Sequence, residues 1–199
     1  MSDIKLKFAK IISTVFLQPT FSFLNFTYLN FNYEQSSSQL IVNLLISLSA
    51  TVILPIIYFV IQRRNGNIHD NDAVIKEQRN NTYIFTIVLF LIASILLYLN
   101  KAPVLITSLM LCYFINTSLV FLINLFYKIS VHTFTAAGSL ALFTFISPIL
   151  AGILSIITLA VMWARIQLKV HTKGQVILGL VCGIFLTLIG LKLFAELIA

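Results

Sequence analysis

The sequence predicts an all-α, polytopic transmembrane helical bundle, and three observations carry that prediction. Charged residues make up 10% of the 199 residues, against about 25% in a soluble globular domain. Mean hydropathy is +1.01. The apolar residues also come in unbroken runs: Leu40 to Ile61 carries no charge over 22 residues and Ala102 to Tyr127 none over 26, with Tyr83 to Leu99 and Val176 to Leu191 equally clean. A helix rising about 1.5 Å per residue needs about 20 residues to cross hydrocarbon, so these runs are spans and not the core of a soluble domain.

Taken in order, the elements form six core spans preceded by an N-terminal span, with residues 1–38 set apart from the bundle of residues 39–199. A first helix is expected over residues 8–30, kinked at Pro19 because proline lacks the N–H that a helix interior uses. Lys5, Lys7 and Lys10 ahead of it resemble the start of a signal peptide, but no small-residue cleavage site follows, so the segment reads as retained. Its aromatics (Phe21, Phe23, Phe26, Tyr28, Phe31 and Tyr33) read as an interfacial belt or bilayer-facing surface. The polar run Glu34 to Ser38 is a loop. Helices are expected over 39–62, over 83–99 and from the turn Asn100-Lys101-Ala102-Pro103 to Tyr127, with Arg63 to Asn81 as the one long hydrophilic loop. Between His132 and Arg165 the pattern gives two short helices turning at Ser147-Pro148, with a single kinked helix as the competing reading. A last helix runs from Gln175 to the end.

Composition excludes several function classes. Cys112 and Cys182 sit inside apolar runs and read as small buried hydrophobes, and no Cys/His cluster has metal-ligand spacing, so neither a metal nor a cofactor is expected. The formal charge of +7 does not point to nucleic acid, because the basic residues flank hydrophobic runs. On the expected topology the loops 63–81, 128–132 and 165–174 share one membrane face. That face, with the N-terminal tail, holds all three histidines and eleven of the thirteen Lys and Arg. The positive-inside rule alone would place it in the cytoplasm of a cell whose inner (plasma) membrane holds the protein. An anion site built from Lys76, Arg79, Lys128 and Arg165 is a second cause, compatible with the first. Each cluster stands at or just before the start of a span, where unpaired N–H groups and a partial positive charge favour an anion such as phosphate. His69, in Asn67-Ile68-His69-Asp70, reads as a solvated loop residue.

The third of these loops reads Arg165-Ile-Gln-Leu-Lys-Val-His171-Thr-Lys-Gly-Gln175, and the second Lys128-Ile-Ser130-Val-His132. In these residues the chain resembles the type 2 phosphatidic acid phosphatase superfamily of membrane lipid phosphatases, over roughly residues 60–190. That family carries Lys-x6-Arg-Pro, Pro-Ser-Gly-His and Ser-Arg-x5-His-x3-Asp. The third motif is matched at Arg165 and His171, the second at Ser130 and His132, the first at Arg79 alone. Ile129, Val131, Ala164, Asn80 and Asp72 depart from it, with Lys76 one helical turn beyond position 72, and Gln175 stands where the family has the aspartate that orients the nucleophile.

The resemblance implies that His171 attacks the phosphorus of a membrane lipid phosphate monoester or isoprenoid diphosphate and that His132 serves as acid and then base. Arg79, Arg165 and Lys76 or Lys128 would hold the phosphate oxygens, Ser130 would bind phosphate or N-cap its helix, and Gln175 would accept from the His171 ring. Two rivals stand beside this reading. One is a catalytically silent relative that binds a lipid phosphate or a partner protein, favoured by Gln175 and the reduced first motif. The other is a small transporter or channel subunit, which predicts ionisable residues at the bilayer midplane, where this chain has only Asn, Ser and Thr.

Overall fold

A computed structural model describes residues 3–34, 36–69 and 75–198, and no strand occurs among them. The helices are α1 (Asp3–Val15), α2 (Gln18–Tyr33), α3 (Ser37–Leu48), α4 (Leu54–Arg64), α5 (Asn80–Leu99), α6 (Val104–Phe126), α7 (Val131–Ile146), α8 (Pro148–Gln167) and α9 (Lys173–Ile198). A π turn (Ser49–Ile53) joins α3 to α4 and a 3₁₀ turn (Lys76–Arg79) leads into α5. Five stretches are long and apolar enough to cross a membrane: Ser37–Arg64, Lys76–Leu99, Val104–Phe126, Pro148–Gln167 and Lys173–Ile198. The chain is therefore an all-helical, multi-pass membrane protein by length and composition. The outward side chains fit that reading: on α5 the exposed residues Ile84, Val88, Ile92, Ile95 and Leu99 form one apolar stripe, the surface a bilayer would cover.

The single kinked helix expected over 8–30 is replaced by two helices, α1 and α2, broken at Phe16 and Leu17. Pro19 has no N–H for the Val15 carbonyl four residues back. The Thr20 hydroxyl donates to that carbonyl instead, at 2.7 Å, and the chain restarts as α2. Neither α1 nor α2 is among the helices long and apolar enough to span. The aromatic face of this region is likewise only partly a lipid-facing one: Phe21 and Phe26 are buried while Phe23, Phe31 and Tyr33 are exposed.

At Ser147 the expected turn between two helices is present. Its extended backbone (φ −152°, ψ 103°) ends α7, its hydroxyl accepts from the Leu150 N–H at 3.4 Å to cap α8, and Pro148 occupies the first turn, where no N–H is needed. Within Ser37–Arg64, Pro55 similarly denies a donor to the preceding turn. The helix widens there, with the Leu54 N–H reaching the Ser49 carbonyl five residues back.

The chain forms two compact units. The first, Met1–Phe21 with Tyr127–Ile189, holds α1, α7, α8 and most of α9. Here α1 lies on α8, Ala9 and Ile12 packing with Val161 and Ala164. The second, Ser22–Phe126 with Gly190–Ala199, is organised around α5 and α6. Tyr113 of α6 is half-buried there against the rings of Phe26 and Phe90, and its hydroxyl accepts from Asn25 Nδ2 at 3.2 Å. Several hydroxyls inside the spans bond carbonyls of their own helix, as Ser94 does to Phe90 and Thr158 to Leu154, both at 2.7 Å. That satisfies them without water in hydrocarbon.

Candidate functional site

In the first unit a close helix–helix approach sets the geometry. A Cβ placed on Gly183 of α9 would collide with the Phe134 carbonyl and lie 2.8 Å from the Ala137 Cβ; one on Gly179 would lie 2.7 Å from the Ser130 carbonyl. Only glycine lets the two backbones come this near, and the small-xxx-small spacing Gly179-x3-Gly183 places both on one face of α9. The contact carries the start of α7 to the start of α9, where the Ser130 N–H donates to the Gln175 carbonyl at 3.2 Å.

Ser130 is fully buried and caps α7: its Oγ accepts from the Thr133 N–H at 3.5 Å and lies 3.0 Å from the Thr133 hydroxyl. Of its two expected roles, the cap is the one occupied. His132 stands in the first turn of α7 and is half-buried.

Thr172, Lys173, Gly174 and Gln175 open α9 with a capping box. The Gln175 N–H donates to the Thr172 Oγ1 at 3.4 Å, and the Thr172 N–H donates back to the Gln175 Oε1 at 3.2 Å. His171, 7% exposed, has its Nδ1 3.0 Å from that same Oε1. This shared atom fixes the ring chemistry. A backbone N–H can only donate, so the amide atom facing Thr172 is oxygen, which settles the amide orientation that distance alone would leave open. An oxygen facing Nδ1 requires Nδ1 to carry the proton, and in the neutral ring Nε2 then keeps its lone pair.

Arg165, in the last turn of α8, is fully buried, and its Nη1 donates to the hydroxyl of Ser13 on α1. The sequence reading leaves α1 outside the site; the structure brings one of its side chains to the best-matched arginine. Lys128 spans the entry to α9, its Nζ donating to the Val170 carbonyl at 2.8 Å. Tyr127 stands over the same helix start: a Cβ on Gly174 would lie 3.2 Å from its hydroxyl oxygen.

Lys76 and Arg79 belong to the second unit. The Lys76 ammonium donates to the Leu125 carbonyl at 2.9 Å, while Asn124 Nδ2 donates to the Lys76 carbonyl at 3.1 Å. Lys76 therefore closes the C-terminal end of α6, where a cation also suits the helix dipole. Arg79 is 8% exposed at the foot of α5. Position 72, the Asp where the first motif has Lys, lies outside the described residues, as does Asp70, while His69 is exposed. Among the described residues no group of three His, Cys, Asp or Glu could hold a metal.

Ser13, Thr172, Gly179 and Gly183 escape the sequence reading. Thr172-x-x-Gln175 and Gly179-x3-Gly183 carry readable spacing signals; nothing local to Ser13 ties it to a residue 152 positions away. No protein-family model, no curated protein and no solved structure matches the chain.

Proposed function

We propose that the chain is an integral membrane lipid phosphatase working through a phosphohistidine. The observation that carries this reading is the His171–Gln175–Thr172 arrangement, which leaves Nε2 as the lone-pair nitrogen of a buried imidazole at a helix start. In the proposed reaction the Nε2 lone pair forms a bond to the phosphorus of a lipid phosphate monoester or isoprenoid diphosphate. The bond from phosphorus to the leaving oxygen breaks, and His132 gives that oxygen its proton. Water then attacks the phosphorus, His132 takes the proton of that water, and the P–N bond breaks to release phosphate. Arg165 supplies positive charge to the phosphate oxygens. Gln175 holds the tautomer and adds no negative charge to steady the imidazolium, so slow turnover is expected.

We further read six core spans, α7 being the sixth. Its 16 residues rise about 24 Å, and the bond between Ser130 before α7 and Gln175 in α9 supports it: α7 must carry the chain as far as α8 returns it. This topology supports one face for the loops before α5, α7 and α9. The positive-inside count assigns that face to the cytoplasm and the protein to the inner (plasma) membrane.

A second reading, a silent binder of lipid phosphates, is favoured by Gln175, an amide beside His171 where a nucleophilic histidine gains from a carboxylate, and by the reduced first motif, whose lysine role Lys76 does not fill. Both the Lys76 and Lys128 ammoniums donate to backbone carbonyls, a structural use that needs no ligand. Phosphate release from a panel of lipid phosphates by detergent-purified protein, beside His171→Ala, tests the choice. Release by the parent protein alone supports the enzyme. Absence of release by folded protein, with lipid phosphate still retained, moves the reading to the binder.

A further inference from the structure

Helix α1 carries three distinct faces at helical spacing, one of them its contact with α8. Ala9, Ile12 and Ser13 are buried against α8. Ile4, Phe8, Ile11 and Val15, at i, i+4, i+7 and i+11, form an exposed apolar stripe. Beside it Lys7, Lys10 and Thr14, all exposed, form a polar stripe with Asp3. A shallow groove runs along the seam, lined by Lys7, Lys10, Ile11, Thr14 and Val15. The cluster joining α1 to α8, built on Val161 and Ala164 with Ile157, Ala160 and Trp163 packed against it, covers the C-terminal half of a membrane-spanning helix, so α1 sits toward one end of that span.

We propose that α1 is an interfacial helix whose Lys7–Lys10 groove binds an anionic phospholipid of the surrounding leaflet. An apolar stripe flanked by lysines is what a helix lying at a bilayer surface presents. The lysine stems run over the acyl boundary while the ammoniums reach headgroup phosphate. Charge complementarity selects the lipid: α1 carries Lys5, Lys7 and Lys10 against Asp3 alone. Lys7 is paired with Asp3 at 2.6 Å, an exposed contact, which leaves Lys10 as the stronger headgroup partner. One such lysine near an anionic surface corresponds to about a 5-fold preference over a zwitterionic lipid. The proposal does not depend on any phosphatase activity.

The chain supplies its own reporter. Trp163 is its one tryptophan, and its ring lies 6.2 Å from that of Phe8 on α1. The full-length protein is reconstituted into vesicles in which either the phosphatidylglycerol or the phosphatidylcholine carries brominated acyl chains, which quench nearby indole. At equal mole fraction, brominated phosphatidylglycerol should quench Trp163 the more strongly, with a relative occupancy of about 5. Lys7→Gln/Lys10→Gln should bring the ratio close to one, Lys7→Arg/Lys10→Arg should preserve it, and Asp3→Asn should raise it. Equal quenching by the two lipids in the parent protein would overturn the proposal, as would a preference unmoved by the glutamine pair. Should the glutamine variant not fold, a ratio unchanged by Asp3→Asn overturns it in the same way.

Discussion

Removing the Gln175 side chain should change the tautomer of His171. Gln175→Ala deletes the oxygen that accepts from both the Thr172 N–H and the His171 Nδ1–H. The Thr172 N–H is at an exposed position and can turn to water, so losing that half of the cap costs about 0.5–1 kcal/mol. His171 is 7% exposed, and a donor left buried without its acceptor costs about 1–3 kcal/mol. The ring escapes part of that penalty by moving its proton to Nε2. A hydrogen bond worth about 1 kcal/mol corresponds to about a 5-fold change in the tautomer ratio. Nitrogen NMR on protein labelled at histidine reads this directly, because the chain has three histidines and His69→Gln and His132→Gln assign the third signal. The expected result is an Nδ1-protonated His171 in the parent protein, a ratio shifted by about 5-fold or more in Gln175→Ala, and a parent-like ratio in Gln175→Glu. An Nε2-protonated His171 in the parent would refute the reasoning, since no donor could then stand between the ring and Oε1.

The α7–α9 contact gives a paired test. Gly183→Ala should destabilise the protein by about 1–3 kcal/mol through overpacking, whereas Gly152→Ala, with nothing within 4 Å of the added Cβ, should stabilise it by about 0.5–1 kcal/mol. Thermal unfolding in detergent checks both, and equal effects would remove the close-approach argument. Ser13→Ala takes a hydroxyl from the buried Arg165 and should cost about 1.5–3 kcal/mol, as a hydrogen bond to a charged group does; Ser13→Thr should restore most of it. Lys76→Met should lower stability by about 0.3–1 kcal/mol through the lost contact at the end of α6. If any lipid-phosphate hydrolysis is detected, this variant should leave its rate within about twofold of the parent, because the ammonium is held by Leu125.

Much of the fold is legible because hydrocarbon imposes one rule that the sequence must obey everywhere. Every span needs an unbroken apolar run, and each long break, as at Arg63 to Asn81, is visible. Ser147-Pro148 is legible too, since a capping hydroxyl followed by proline is a helix-start signal. The first helix departs from expectation because Pro19 does more than kink it. With Thr20 ready to take the Val15 carbonyl, the proline ends one helix and opens another. The roles of Lys76 and Lys128 lie beyond sequence, because each acts on a backbone carbonyl more than 40 positions away. The partner of Arg165 lies beyond it for the same reason.

Gln175 is the departure that weighs most against the resemblance, and it is also the residue for which the structure supplies a second occupation. At the third position of α9 a glutamine completes the capping box with Thr172, so helix stability alone explains its presence. Holding His171 needs nothing more than the lone pair that the cap leaves over on the same oxygen. The two roles separate under substitution by glutamate, because both need an acceptor and only the catalytic one gains from negative charge. As a cap, Gln175→Glu should gain about 0.3–1 kcal/mol at the helix N-terminus and leave any lipid-phosphate hydrolysis untouched. As the partner of a nucleophile that becomes cationic when it attacks phosphorus, the introduced carboxylate would steady the imidazolium and raise the rate of phosphate release. A stabilised variant with no rise in rate would reduce Gln175 to its cap, and the phosphohistidine reading would then rest on His132, Arg165 and His171 without it.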